Sequence, residues 1–229
     1  MRPKTLSIAL LFILIASMTC FSQQTDVRQF SAFGAYSYLN TPSLNLTQNG
    51  FDGDFGVNVR PWLTLGADFS YGSGSSSLVQ GNLNAATQAK LAPYLPYFPP
   101  GFVLSVPFNS STYTYEAGPQ FNYRHFQHVT LFVRPALGAL HGSFNATPSN
   151  PLVTEIVKGL LNGSTSSSDT VLFYGFGGGL TWEITPNFGI RVASDLAHYN
   201  YFSNVLNGGR NSVRLVVGTK FSFGKNIIK

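Results

Sequence analysis

The sequence predicts an all-β fold, an eight-stranded antiparallel up-and-down transmembrane β-barrel with short periplasmic turns and long extracellular loops. Three observations carry that reading. Eight segments alternate apolar and polar residues with a period of two, the signature of a strand with one apolar face. The connections between them alternate short and long. The charged residues of the segments fall on the face opposite the apolar one, as expected where a charge facing lipid costs about 2–4 kcal/mol.

The chain opens with "MRPKTLSIALLFILIASMTCFSQQ", a basic start, an apolar middle from Leu6 to Ala16, and small Ser22 before Gln23. This is the layout of a secretory signal peptide, and the apolar run is shorter than the ~20 residues of a membrane-spanning helix. Residues 1–22 are therefore expected to be removed, leaving a barrel over 23–224 and a short tail over 225–229. Cys20, the only cysteine, lies in the leader, with Ser17 and Thr19 where lipid attachment prefers aliphatic and small residues. The mature chain thus has no disulfide in a compartment that permits one. The Asn-x-Ser/Thr matches at Asn45, Asn109, Asn145 and Asn162 read as chance in a chain rich in Asn and Ser.

The strands are expected at 27–39, 51–60, 62–71, 111–123, 129–141, 171–184, 188–201 and 212–223. Each is long enough to cross a bilayer when tilted, which takes about 9–11 residues. Short connections fall at Pro61, Arg124–His128 and Thr185–Asn187, where "TPN" is good turn chemistry. Long ones run over 40–50, 72–110, 142–170 and 202–211. In the third strand Leu63, Leu65, Ala67, Phe69 and Tyr71 share one face, and Trp62, Thr64, Gly66, Asp68 and Ser70 the other. The fourth sets Tyr113, Tyr115 and Phe121 against Thr114, Glu116 and Gln120. The sixth sets Tyr174, Phe176 and Leu180 against Gly175, Gly177 and Gly179, and its "GFGGG" lies mid-strand with no helix after it. These glycines suit close packing and curvature of the sheet rather than phosphate binding.

A soluble sandwich would show the same alternation with its faces exchanged. The polar face here is rich in Gly, Ala, Ser and Thr, not in Lys and Glu, and suits a crowded interior. Tyr71, Tyr123, Trp182 and Phe188 sit near strand ends on the apolar face, where an interfacial aromatic girdle belongs. Charged residues are only 10% and aromatics 14%, with a mean hydropathy of +0.08, which excludes disorder and a helical membrane protein. Without Arg2 and Lys4 the chain carries 12 basic residues against 9 acidic, about +3, with no basic cluster for nucleic acid.

Five stretches carry a resemblance: "FGAYSYL", "NVRPWLTLGADFSY", "YEAGPQFNY", "FGGGLTWEITPNFGIRVASD" and the closing "GTKFSF". Together they resemble the eight-stranded outer-membrane barrel family, similar to the transmembrane domain of outer membrane protein A, over residues 27–223. The resemblance implies a cell outer membrane location and a monomer in outer-membrane lipid. It also implies a closing signal for the barrel assembly machinery, matched here by Gly218, Phe221 and Phe223. Two departures stand out: Val216 occupies a usually polar position, and "GKNIIK" continues past the terminal aromatic.

Eight strands leave an interior that side chains can fill. The inward charges are expected to be Asp52, Asp54, Asp68, Glu116, Glu183 and Asp195 against Arg60, Arg124, Arg134, Arg191, Arg214 and Lys220. Buried charges must pair, so the expectation is an internal ion-pair network, no open pore and no cofactor. His141 and His198 near the outer rim lack a fixed local motif with Ser and acid, and His125 and His128 are too few for a metal site. The expected role is therefore structural or surface recognition, not enzymatic. The alternatives are a narrow pore or transport barrel and, further off, a lipid-modifying enzyme. The apolar "KLAPYLPYFPPGFVLSVPF" in loop 72–110 and a short helix in loop 142–170, spaced by Leu152, Ile156 and Leu160 and stopped by Gly163, are the candidate surfaces for an extracellular ligand.

Overall fold

The computed structural model describes residues 24–97, 104–148 and 150–228; the expected leader, 1–22, lies outside them. Eight antiparallel strands form one closed barrel in sequence order. They are β1 (Arg28–Thr41), β2 (Leu46–Arg60), β3 (Leu63–Val79), β4 (Ser105–Tyr123), β5 (Val129–Ala146), β6 (Ser166–Thr185), β7 (Phe188–Tyr199) and β8 (Arg210–Asn226). The barrel closes where β1 pairs with β8, from Phe30 opposite Phe223 to Asn40 opposite Val213.

The side-chain alternation sets which face is out. Leu65, Tyr115, Phe121, Val133, Leu137, Tyr174, Phe176, Leu180, Val192, Leu196 and Val217 are all exposed, while Thr64, Asp68, Thr114, Glu116, Arg134, Thr181 and Asp195 are buried. The apolar face is the outer one, opposite to a soluble sandwich. On β4 the apolar face runs from Tyr123 near the turn end to Tyr113 near the loop end. Those ten steps span about 34 Å along a strand, or about 24 Å of height at a 45° tilt, close to the ~25 Å apolar band of a membrane barrel.

The strands β2 to β6 run further towards the loop end than the alternation alone indicated. The expected long connection at 40–50 shrinks to a single 3₁₀ turn at Pro42–Leu44, because Leu46–Gly50 extend β2. Ladder pairs between β3 and β4 continue to Val79 opposite Ser105, and those between β5 and β6 to Asn145 opposite Ser166. Most of these extensions are serine, asparagine and glycine, which show no apolar period, and on β4 the apolar Val106 and Phe108 point inward instead of outward. The connections that remain long hold two helices, α1 (Ala85–Leu91), capped by Asn84, and α2 (Pro151–Leu160), capped by Asn150. The expected helix in the third long loop is therefore present, and Gly163, at φ +91°, follows it. Its buried face is Val153, Ile156 and Val157, with Leu152 exposed, so the face is turned by about one residue from the expected one.

The tail beyond Phe223 is partly strand. β8 continues to Asn226, whose Oδ1 accepts the Val27 backbone N–H at 3.0 Å and whose Nδ2 donates to the Thr25 carbonyl at 3.0 Å. The Ile227 N–H donates to the Val27 carbonyl at 2.9 Å. "GKNIIK" thus supplies a clasp over the start of β1.

Gly218 sits at the β1–β8 seam opposite Ala35. A Cβ there would run into the Gly34 carbonyl oxygen and Ala35. Gly218→Val is expected to prevent seam closure. The check is gel mobility without boiling, where the folded, faster band should be lost; retention of that band would refute it.

Candidate functional site

The interior is built in layers, and strand parity places each side chain. At the turn end, Lys220 on β8 and Glu183 on β6 meet at 2.6 Å (Nζ to Oε1), and Arg124 Nη1, from the β4–β5 turn, lies 3.8 Å from the same oxygen. Arg124 also donates to the Pro61 carbonyl, Gln24, Thr130 and Asn58. Burial pushes its guanidinium down to about 10, against the opposing pull of Glu183. Gln24 closes this end: its Nε2 donates to Thr130 Oγ1 at 3.0 Å and its N–H to the Arg124 carbonyl at 3.5 Å.

One layer in, Arg191 pairs with Asp54 at 2.5 Å. Its guanidinium lies 4.9 Å from the Phe33 ring centre and 5.0 Å from that of Phe132. Aromatic faces attract a cation most where water is excluded. Phe33, Phe132, Ala193 and Val216 form a small apolar cluster here. Val216 thus packs in the interior, 1% exposed, which accounts for an apolar residue at that position.

The middle of the barrel holds four carboxylates and two guanidinium groups. Arg214 contacts Asp195 at 2.9 Å, Asp68 at 3.0 Å, Asp52 at 3.1 Å and Glu116 at 3.3 Å. Arg134 contacts Asp195 at 3.0 Å, Asp68 at 3.3 Å and Glu116 at 3.7 Å. Ser70 and Thr114 add hydroxyl acceptors to Arg214. Asp52 is the weakest member: neither of its oxygens has a hydrogen bond among the described residues. Glycine makes room for this cluster, since a Cβ on Gly177 would run into the Asp195 carboxylate.

Arg60 does not join these layers. It is exposed at the end of β2, outside every ion pair among the described residues. The register shifts between Asn58 and Arg60, and this bulge breaks the two-residue parity on which the inward placement relied. Trp62 lies in the β2–β3 turn, outside the strand alternation, and stands exposed, stacked on Phe121.

Above the charges the interior turns apolar. Ala136, Leu140, Phe173 and Tyr199 on the barrel wall join Leu83, Leu91, Leu104, Val106, Phe108, Val153, Ile156, Val157, Phe202 and Leu206 in one core that caps the loop end. Leu91 is fully buried, and each such side chain contributes about 1.5–3 kcal/mol of burial. Tyr201 lies inside the cap, and burial pushes its phenol up. Strand parity alone could not show this cap, because Leu83, Leu91, Val153, Ile156, Val157, Phe202 and Leu206 come from helices and loops. The signal that was available is the i, i+3, i+4 spacing of Val153, Ile156 and Val157. The apolar "KLAPYLPYFPPGFVLSVPF" contributes Leu91, Leu104, Val106 and Phe108 to the cap, and exposes Tyr94 and Tyr97. Residues 98–103 of it lie outside the described residues.

On the outer face, Tyr123, Trp182 and Phe188 stand exposed near the turn end. Tyr71 lies towards the loop end between Phe51 at 5.7 Å and Tyr113 at 5.0 Å. Phe221 and Phe223 point outward near the end of β8, 5.9 Å apart. His141 and His198 lie in the upper outer rows, their Nδ1 atoms 2.7 Å from Thr170 Oγ1 and Asn211 Oδ1.

Neither a family model nor a curated protein matches the sequence. Among solved structures, Neisserial surface protein A is 15% identical, with 85% of this chain and 96% of that chain covered and a TM-score of 0.48. Ail, the attachment invasion locus protein of Yersinia pestis, in complex with the heparin analogue sucrose octasulfate, is 19% identical over 84% of this chain and 96% of that one, at 0.43. OprG from Pseudomonas aeruginosa is 8% identical over 89% and 100%, at 0.46. With all three scores below 0.5, the fold rests on this chain's own closed strand register.

Proposed function

We propose that this closed barrel spans an outer membrane as a monomer, turns towards the periplasm and loops outside, in a structural or surface-recognition role rather than an enzymatic one. The observation that carries this reading is the double closure of the interior. The cluster around Arg134 and Arg214 fills the middle, and the apolar cap fills the loop end. A transport barrel needs a continuous wet path; an eight-stranded one packed in this way is a rigid post. The outward apolar band, rimmed by Tyr71, Tyr123, Trp182 and Phe188, supports contact with lipid. Gly218, Phe221 and Phe223, at the seam strand, fit a signal read by the assembly machinery. The cap, with Tyr94 and Tyr97 exposed, is the surface offered to a partner outside.

The test is single-channel recording in planar bilayers. The expected result is no large, stable, ion-selective step; such a conductance would replace the closed post with a pore.

A further inference from the structure

The turn end contains a cavity of about 170 Å³, lined by Gln24, Arg124, Glu183, Lys220 and Ser222 among others. Room for one water takes about 10–15 Å³, so a small ion with several waters fits. Its charges do not balance. Arg28 and Asp26 at the rim neutralise one another at 3.1 Å. Deeper in, Arg124 and Lys220 share the single carboxylate of Glu183, and both approach its Oε1. Arg191 below them is already matched by Asp54. Among the described residues one positive charge is left over, in a place where charge is costly to leave unpaired.

Lys220 is the group with capacity to spare. Its side chain is 5% exposed, its ammonium carries three donors, and Glu183 is its one hydrogen-bond partner among the described residues. Arg124, by contrast, already serves a carbonyl and three side chains. Ser222 adds a hydroxyl to the lining, and Gln24, held by Thr130, roofs the cavity.

We propose that this cavity is a binding site for one small oxyanion, a phosphate or carboxylate group, held by Lys220 with the Arg124 charge behind it and with Glu183 as its internal competitor. The site lies at the turn end, away from the loop-end cap, and does not rest on the recognition reading.

The test uses the whole barrel in a neutral detergent, with inorganic phosphate as the probe and sodium chloride at equal ionic strength as the reference. Equilibrium dialysis should show one saturable phosphate per barrel. Phosphate should also protect Lys220 from reductive methylation several-fold, read by mass spectrometry, and leave the exposed Lys90 on α1 unchanged. This second readout needs no variant. Glu183→Gln, which removes the competitor, should tighten phosphate binding at least threefold, and Lys220→Gln should abolish the saturable component. Absence of saturable uptake by the wild type, equal methylation of Lys220 with and without phosphate, or weaker binding by E183Q would each overturn the proposal.

Discussion

Arg214→Met is expected to cost the barrel about 3–5 kcal/mol, the usual penalty for removing one partner from a buried charge cluster. Arg214 reaches Asp52, Asp68, Glu116 and Asp195 within 3.3 Å. Without it, four buried carboxylates face one guanidinium, that of Arg134, which also has no contact within 4.0 Å to Asp52. Methionine keeps the unbranched stem and loses the guanidinium head, so the lost charge outweighs the modest loss of volume. Asp52→Asn removes charge of the over-represented sign from a group with no hydrogen bond and should leave stability within about 0.5 kcal/mol or raise it. Denaturant unfolding in lipid vesicles measures both. A stable R214M would mean that the cluster is incidental to the fold.

Phe176→Arg is expected to lower the free energy of folding into vesicles by about 2–4 kcal/mol, the cost of a cation at the bilayer midplane. Phe176 stands on the outer face of β6, 57% exposed and halfway between Thr170 and Trp182. In water the same change would be worth about 0.5 kcal/mol or less. Tyr97→Arg, exposed in the loop-end cap, supplies the control and should be near neutral. Equal, small effects at both positions would sink the lipid-facing reading of the outer band.

The barrel was legible because one physical rule acts along each strand. Period-two alternation placed Asp68, Glu116, Arg134, Asp195 and Arg214 on one parity, and closure of the sheet brought those five strands' residues to a common centre. The rule failed at Arg60, where a bulge in β2 breaks the count, and at Trp62, which lies in the turn before β3. It also ended too early on β2 to β6, where serine, asparagine and glycine dilute the period and, on β4, the apolar Val106 and Phe108 fall on the inward parity instead of the outward one. The cap was half legible. The α2 spacing marked a helix, but its apolar face could as well have met lipid or a partner. Only the placement of Leu83, Leu91 and Leu206 beside it shows that the loops have a core of their own. Gln24 and Arg210 carried no pattern at all. Gln24 is held by distant Thr130, and Arg210 by distant Ser43 and by the carbonyl of nearby Asn207.

The Asn226 clasp has a mechanical consequence. It ties Thr25 and Val27 to the end of β8 at the same rim where the β1–β8 ladder begins. Force applied between these two segments would load the clasp first, then the pairs from Phe30–Phe223 upward, one rung after another. Such peeling loads each hydrogen bond singly, unlike shear, which loads the row together. The seam is therefore the tear line of the cylinder, and the clasp of Asn226 and Ile227 is the stitch that stops the tear from starting.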